Sequence, residues 1–200
     1  MFIVYEGIDG SGKTTLAGEL EVFLNSRGIK TCTTVEPTRT NIFGKFIRFC
    51  LTRKIYLPQE FFQKLYFWDR IIHMREIKRF LANGITVICD RNFFSTIAYG
   101  YSSDVDIKII IRWHRKAIQK GLIVVPDVIF LIDLPPEVAM ERLRAKGKQL
   151  ELFETEKRLQ RVADGYGIAI SIFFEIKVIR INGHQSVQSV LTEILEKGKF

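Results

Sequence analysis

Short, nearly continuous apolar runs alternate along the chain with longer stretches in which apolar residues return every three or four positions. The runs Phe2–Tyr5, Thr31–Val35, Ile85–Cys89, Val128–Ile132 and Lys177–Ile181 have the pattern of strands buried on both faces of a parallel sheet. Between them the spacing predicts helices over Lys13–Ser26, Asn41–Thr52, Gln59–Ala82, Val105–Lys120, Pro136–Ala145, Glu154–Phe174 and Val187–Lys197. Gly28, Gly84 and Gly121 stand where C-terminal caps belong, and Pro58 suits the first turn of the longest helix. Such alternation implies a three-layer α/β domain. There is no internal repeat, low-complexity segment or Pro/Gly/Ser-rich linker, so residues 1–200 read as a single domain.

Composition agrees. A chain of 200 residues that is 47% hydrophobic and 26% charged, with 16 Phe, has enough apolar material for one core and lacks the signature of disorder. No apolar stretch reaches the roughly 18 residues of a spanning helix. Glu6 and Asp9 interrupt the first apolar run, so the N-terminus does not read as a signal peptide. Three scattered cysteines, Cys32, Cys50 and Cys89, are too few for a disulfide framework or a zinc site and read as reduced thiols of a cytoplasmic protein. The net charge of +8 is either a solvated basic surface or the mark of an anionic partner: nucleic acid, a phosphorylated small molecule or an acidic membrane.

The chemistry begins at residues 7–14, Gly-Ile-Asp-Gly-Ser-Gly-Lys-Thr, which match G-x-x-x-x-G-K-[ST]. By composition alone the match arises in about 1% of chains this long, and here it also follows a predicted strand and opens a predicted helix. Gly7, Gly10 and Gly12 let backbone N–H groups turn inward around a phosphate, Lys13 neutralises the β- and γ-phosphates, and the Thr14 hydroxyl binds Mg²⁺. Asp9, inside the loop, either binds a sugar hydroxyl or a metal or points out to solvent.

A second constellation concerns the acceptor. Asp90 and Arg91 stand at the carboxyl end of a buried strand, the sheet edge where ligands bind in open α/β folds. They read as an Mg²⁺ ligand and a phosphate grip, or as a strand-end ion pair. Tyr66 and Arg70, four apart on the long helix, share a face that can stack on a base and read its edge. Phe61, Leu65, Trp68 and Ile72 form another stripe, for core packing or a subunit contact, and His73 reads as a partly exposed residue without special function. Arg39 and Arg48 flank Glu36-Pro37-Thr38, and Arg48 reads slightly better as a surface cation. Arg142, Arg144, Lys146 and Lys148 form a basic run that either closes over a phosphoryl group or solvates a helix end.

Together these segments resemble the thymidylate kinases, over nearly the whole chain and in order. Tyr5 to Thr15 looks like their P-loop, Glu36-Pro37-Thr38 like their Glu-Pro loop, and Leu65 to Arg70 like their aromatic-x-x-Asp-Arg helix. Asp90 to Tyr99 is similar to their Asp-Arg-x-x-x-Ser-x-x-Ala-Tyr segment, Pro126 to Glu137 to the strand before the lid, and Ile181-Asn-Gly with Val187 to the adenine-side tail. The resemblance implies a P-loop kinase fold with a five-stranded parallel sheet of order 2-3-1-4-5, a short lid over about residues 142–154, and a homodimer packed through long helices. It implies ATP + dTMP → ADP + dTDP with Mg²⁺, as a step of dTTP biosynthesis. ATP falls to the loop from Gly7 and Asp9 through Gly10, Ser11 and Gly12 to Lys13, Thr14 and Thr15, with Arg142; Mg²⁺ falls to Thr14 and Asp90. Tyr66 stacks on thymine, Arg70 meets its edge, and Ser95 and Thr96 help hold it. Tyr99 crowds the sugar 2′ position, Asp9 takes the 3′-hydroxyl, Arg39 and Arg91 grip the acceptor phosphate, and Tyr166 closes the pocket from the lid helix. Asn92 stands where Tyr or His usually follows Asp-Arg. The P-loop has no Arg at Gly10 or Ser11, and Leu152 follows Glu151 where many bacterial members carry a lid Arg, so either the transition-state cation comes from Arg144, Lys146 or Lys148 or the enzyme is slow.

In-line transfer without a covalent intermediate is expected, with Lys13, Asp9, Arg39, Arg91 and Arg144 around the reacting phosphates. The alternatives are a kinase for another deoxynucleotide or a nucleoside, and a nucleic-acid-stimulated P-loop ATPase. No Asn-Lys-x-Asp guanine-reading pattern supports a GTPase. The basic residues at motif positions draw the charge surplus toward two nucleotides, and away from nucleic acid or membrane as partners.

Overall fold

In a computed structural model, which describes residues 1–145 and 155–200, five strands form one all-parallel sheet in the order β2–β3–β1–β4–β5. β1 (Phe2–Glu6) lies at the centre between β3 (Thr86–Asp90) and β4 (Val128–Asp133); β2 (Thr31–Val35) and β5 (Val178–Asn182) are the edges. The expected strand order is observed, with strand bounds shifted by no more than a residue or so. Every residue of β1 and β3 is buried, as their unbroken apolar runs demand. Alternation divides β1 between two cores: Phe2 and Val4 on one face, Ile3 and Tyr5 on the other.

The Ile3–Tyr5 face is covered by α1 (Lys13–Ser26) and α8 (Val187–Gly198), through Leu16, Leu20 and Ile194. The opposite face is covered by α2 (Ile42–Arg53), α3 (Gln59–Ala82), α4 (Phe93–Ser102), α5 (Ile107–Gln119), α6 (Pro136–Ala145) and α7 (Glu156–Ile172). Among the described residues no helix is long and apolar enough to cross a membrane. Gly28, Gly84 and Gly121 each follow a helix by two residues with φ of 77°, 70° and 64°, the left-handed cap expected of them. Pro58 is the N-cap of α3 and not part of its first turn. Of the apolar stripe on α3, Leu65 is buried, whereas Phe61 and Trp68 remain about half exposed.

α4 has no counterpart in the helical periodicity. Its sequence, Phe-Phe-Ser-Thr-Ile-Ala-Tyr-Gly-Tyr-Ser, lacks a polar face, because the helix is enclosed by α3, α5 and α7 and nine of its ten residues are buried. Asn92 caps it: the side-chain oxygen accepts from Phe93 N at 2.6 Å. This gives the departure from Tyr or His a local reason. Against α7 the approach is so close that a Cβ at Gly165 would lie 2.7 Å from Ala98 Cα and 2.8 Å from its carbonyl oxygen.

The Gly165→Ala variant therefore has to push α4 and α7 apart. It is expected to lose about 1–3 kcal/mol of stability and to unfold several degrees lower in calorimetry. An unchanged melting temperature would show that the contact is slack.

Candidate active site

The carboxyl ends of the central strands bring the functional residues to one edge. Tyr5 pairs with Asp90, Val35 with Asp90, and Tyr5 with Phe130, so the chain leaves β1, β2 and β3 side by side. After β1 it enters the phosphate loop. Gly7, Gly10 and Gly12 have φ of 146°, 83° and 93°. A Cβ on Gly7 would lie 2.7 Å from Ile132 O, and one on Gly10 2.6 Å from Ala139 O, so β4 and α6 clamp the loop from behind. Gly12 leaves the N-terminus of α1 without a side-chain cap, an arrangement suited to an anion. Lys13 is 5% exposed, with Nζ donating to Ile8 O at 2.8 Å and to Ser11 Oγ at 3.3 Å. Burial, aided by the Arg91 cation, pushes its ammonium down to about 8. The Thr14 hydroxyl donates to Asp90 Oδ2, while Asp90 Oδ1 is buried without a hydrogen-bond partner among the described residues. Two hard oxygens, one of them unsatisfied, fit the ligand preferences of Mg²⁺.

A cavity of about 420 Å³ opens beside the loop, within the range of small-ligand sites. Asp9, Gly10, Gly12, Lys13, Thr14 and Thr15 form its phosphate-loop side. Asp90, Arg91, Ser95, Thr96 and Tyr99 line it from β3 and α4, and Tyr66 from α3. Gly7 and Ser11 belong to the inner turn of the loop and stay out of this wall.

Arg91 joins the loop to the cavity. It has φ 77°, and its Nη1 donates to Gly7 O at 3.1 Å, Ser95 Oγ at 3.0 Å and the Tyr166 hydroxyl at 3.1 Å. Nη2 donates to the Tyr99 hydroxyl at 3.0 Å and pairs with Asp9. The strand-end Asp90–Arg91 pair is therefore replaced by an Asp9–Arg91 pair. The Tyr99 hydroxyl also donates to Asp9 Oδ2 at 2.6 Å. Burial would raise the Asp9 carboxyl, but Arg91, Lys13 and Tyr99 together hold it below the usual range. Behind these residues Glu6 is fully buried. It accepts from Asn92 N at 2.8 Å, from Ser95 N at 3.1 Å, from the Ser95 hydroxyl, and from the Tyr166 hydroxyl at 3.0 Å. Burial nonetheless lifts its carboxyl above the usual range.

Several expected roles move. Tyr166 is 1% exposed and does not line the cavity; it stands behind Arg91 as a prop, because Glu6 and Gly7 O engage its hydroxyl from the β1 side. Arg70 is likewise 1% exposed and outside the wall, since Nε is drawn to Glu36 Oε2 at 2.7 Å and Nη1 to Thr96 Oγ1 at 2.8 Å and His114 Nε2 at 2.9 Å. Arg39 is exposed and outside the wall, and Arg48 lines it instead. The reason is Asp69, which binds Thr38 N at 2.9 Å and Thr38 Oγ1 at 2.7 Å, so the next residue turns outward. Arg48 reaches back along α2 to the carbonyls of Pro37 and Thr38. His73 is buried, bonded to Glu36 Oε1 at 3.0 Å and Thr34 Oγ1 at 2.8 Å. Arg142 donates to Gly183 O at 3.0 Å, beside the tail after β5. Arg144 is exposed at the last turn of α6 and outside the wall. Lys146, Lys148 and Leu152, with most of the expected lid, lie outside the described residues.

Sequence reasoning passed over Glu6, Gln63 and His114. Glu6 abuts the phosphate motif, and that adjacency was its one signal. His114 is neutral, pushed down to about 3 by burial and Arg70, and its Nδ1 faces Ile110 O at 2.8 Å. Gln63 is a fully buried amide in the cavity wall.

A family model for thymidylate kinase matches residues 5–194. The chain is 34% identical to a thymidylate kinase of Leptospira borgpetersenii, an alignment covering 98% of this chain and 92% of the relative. It is 34% identical to a probable thymidylate kinase of Thermococcus kodakarensis (98% and 95% covered) and 38% identical to one of Methanococcus aeolicus (98% and 94%).

The depressed Lys13 ammonium has a measurable consequence. A triphosphate at Nζ raises it again, so ATP binding near pH 8 takes up about half a proton, and affinity weakens as pH rises through 8. Calorimetric titrations in two buffers of different ionisation enthalpy check this; identical heats at pH 8 would contradict it.

Proposed function

Because the chain belongs to the thymidylate kinase family, we infer that it transfers the γ-phosphoryl group of ATP to dTMP, giving dTDP and ADP on the way to dTTP. The observation that carries the site assignment is Arg91, held between the phosphate loop and the cavity. ATP places its β- and γ-phosphates on the loop amides and Lys13, with adenine toward Arg142 and the Asn182–Gly183 turn. dTMP occupies the cavity with its base against Tyr66 and Thr96. Tyr99 lies beside the sugar, and Asp9, ionised at neutral pH, accepts from the 3′-hydroxyl. Arg91 and Arg48 flank the acceptor phosphate, the second in the place first given to Arg39.

Thr14 and Asp90 would hold Mg²⁺, which supplies positive charge to the donor phosphates when bound. The acceptor phosphate is already largely dianionic at neutral pH, so no strong base is needed. One of its oxygens attacks the γ-phosphorus in line, the bond to the β,γ-bridging oxygen breaks, and ADP leaves. Catalysis rests on alignment and on cations that meet the developing charge. Within the described residues, Lys13 and Arg91 supply that positive charge. The single sheet supports one catalytic domain. The half-exposed Phe61 and Trp68 on α3 support a homodimer packed through that helix. Three free thiols fit a cytoplasmic enzyme.

Replacing Arg91 by Ala is expected to lower kcat/KM for dTMP by about a hundredfold or more, by analogy with removing one oxyanion donor. A loss below about threefold overturns the assignment. A coupled assay over dTMP, dUMP, dCMP, dGMP and thymidine tests the acceptor: dTMP turns over best, and preferred turnover of thymidine would make the protein a nucleoside kinase.

A further inference from the structure

Gln63 stands out among the polar residues of the cavity wall. It is 0% exposed, and neither its Nε2 nor its Oε1 has a hydrogen-bond partner among the described residues. A buried amide without partners is costly, and native structures rarely keep one without a use. Its position on α3 is three residues before Tyr66 and seven before Arg70, so the three share one face of the helix. Across from it, α4 presents Gly100, where an added Cβ would stand 3.7 Å from Gln63 Cγ. A side chain at position 100 would also meet Ile110 at 2.3 Å, so α3, α4 and α5 converge closely here.

The neighbouring Thr96 fixes the polarity of this corner. A guanidinium can only donate, so the Arg70–Thr96 bond of 2.8 Å uses a lone pair of the Thr96 hydroxyl. That leaves the hydroxyl proton for an acceptor in the cavity. His114 holds the other side of the same Arg70 nitrogen at 2.9 Å, which keeps the guanidinium in place. The corner therefore offers a hydroxyl donor from Thr96 and, from Gln63, a donor and an acceptor in one plane. A pyrimidine dione presents the complement: carbonyl oxygens on either side of an N–H. A 4-aminopyrimidine places an amino donor where one of those carbonyls stood.

We propose that Gln63 is a specificity-determining residue for the acceptor base, its amide pairing with the carbonyl and N–H edge of a pyrimidine dione while Thr96 donates to a carbonyl of the same ring. The proposal rests on dTMP being the acceptor. Gln63 contributes binding shared by ground state and transition state, so its loss falls on KM and not on kcat.

The test compares the parent with Gln63→Leu, which keeps the bulk and removes the amide. The free variant is expected to melt at the same temperature as the parent or higher, because an unpaired amide has been replaced by an apolar group. The KM for dTMP rises about fivefold or more, kcat and the KM for ATP stay within about twofold, and the preference for dTMP over dCMP shrinks. A KM for dTMP within twofold of the parent overturns the proposal. So does a lower melting temperature with kcat and both KM values impaired together, which would mark a packing role. Turnover of dTMP by the parent reports on the acceptor reading itself, and the variant-to-parent ratio reports on Gln63 alone.

Discussion

A fully buried carboxylate at the end of the central strand organises this site. Glu6 sits where β1 runs into the phosphate loop, and burying a charge there is unfavourable unless its oxygens are satisfied. They are satisfied by the Asn92 and Ser95 amides and by the Ser95 and Tyr166 hydroxyls. Those partners come from the start of α4 and from the middle of α7. One residue thus fixes where α4 begins, how α7 leans on it, and where Arg91 emerges. Arg91 completes the unit by bridging to Gly7 O and Asp9. The phosphate loop and the cavity cannot then shift independently, a rigidity that in-line transfer between them would need.

A second buried network sets the far wall. Glu36, at the end of β2, pairs with Arg70 and His73. Burial would raise its carboxyl, but the Arg70 and His73 partners hold it below the usual range. Arg70 passes the connection to Thr96 and His114, so β2, α3, α4 and α5 meet on one guanidinium. Asp69, next along α3, fastens Thr38 and Asn41 of the loop after β2. The motif residues of α3 therefore act largely as framework: they place Thr96, Arg48 and the cavity mouth. Truncating one partner in such a network strands the others without hydrogen bonds, and single substitutions there will cost more than one pairwise contact.

The strand runs, the phosphate motif and most cavity residues were legible in the sequence because each leaves a local pattern. Continuous apolar runs mark β1, β3 and β4, and G-x-x-x-x-G-K-T marks its own loop. α4 was not legible because a helix enclosed on all sides has no polar face to create a period. Tyr66, Asp90, Arg91, Thr96 and Tyr99 reach the cavity. Arg70, Tyr166 and Arg39 do not, since whether a side chain meets a cavity or a neighbour depends on partners far away in sequence. Arg70 is turned inward by Glu36 and His114, 34 and 44 positions distant, and Tyr166 by Glu6, 160 positions away. Glu6 and Gln63 escaped for the same reason: a lone polar residue in an apolar setting carries no spacing rule.

If Glu6 holds Arg91 in place through the start of α4 and the Tyr166 hydroxyl, disturbing Glu6 alone must impair the reaction. The direct test is dTMP turnover by Glu6→Gln, measured beside the circular dichroism of the same sample. A folded protein is expected whose kcat/KM for dTMP is lower by about tenfold or more, because an acceptor in a buried network has become a donor. A folded Glu6→Gln protein with kcat/KM within about threefold of the parent would contradict it.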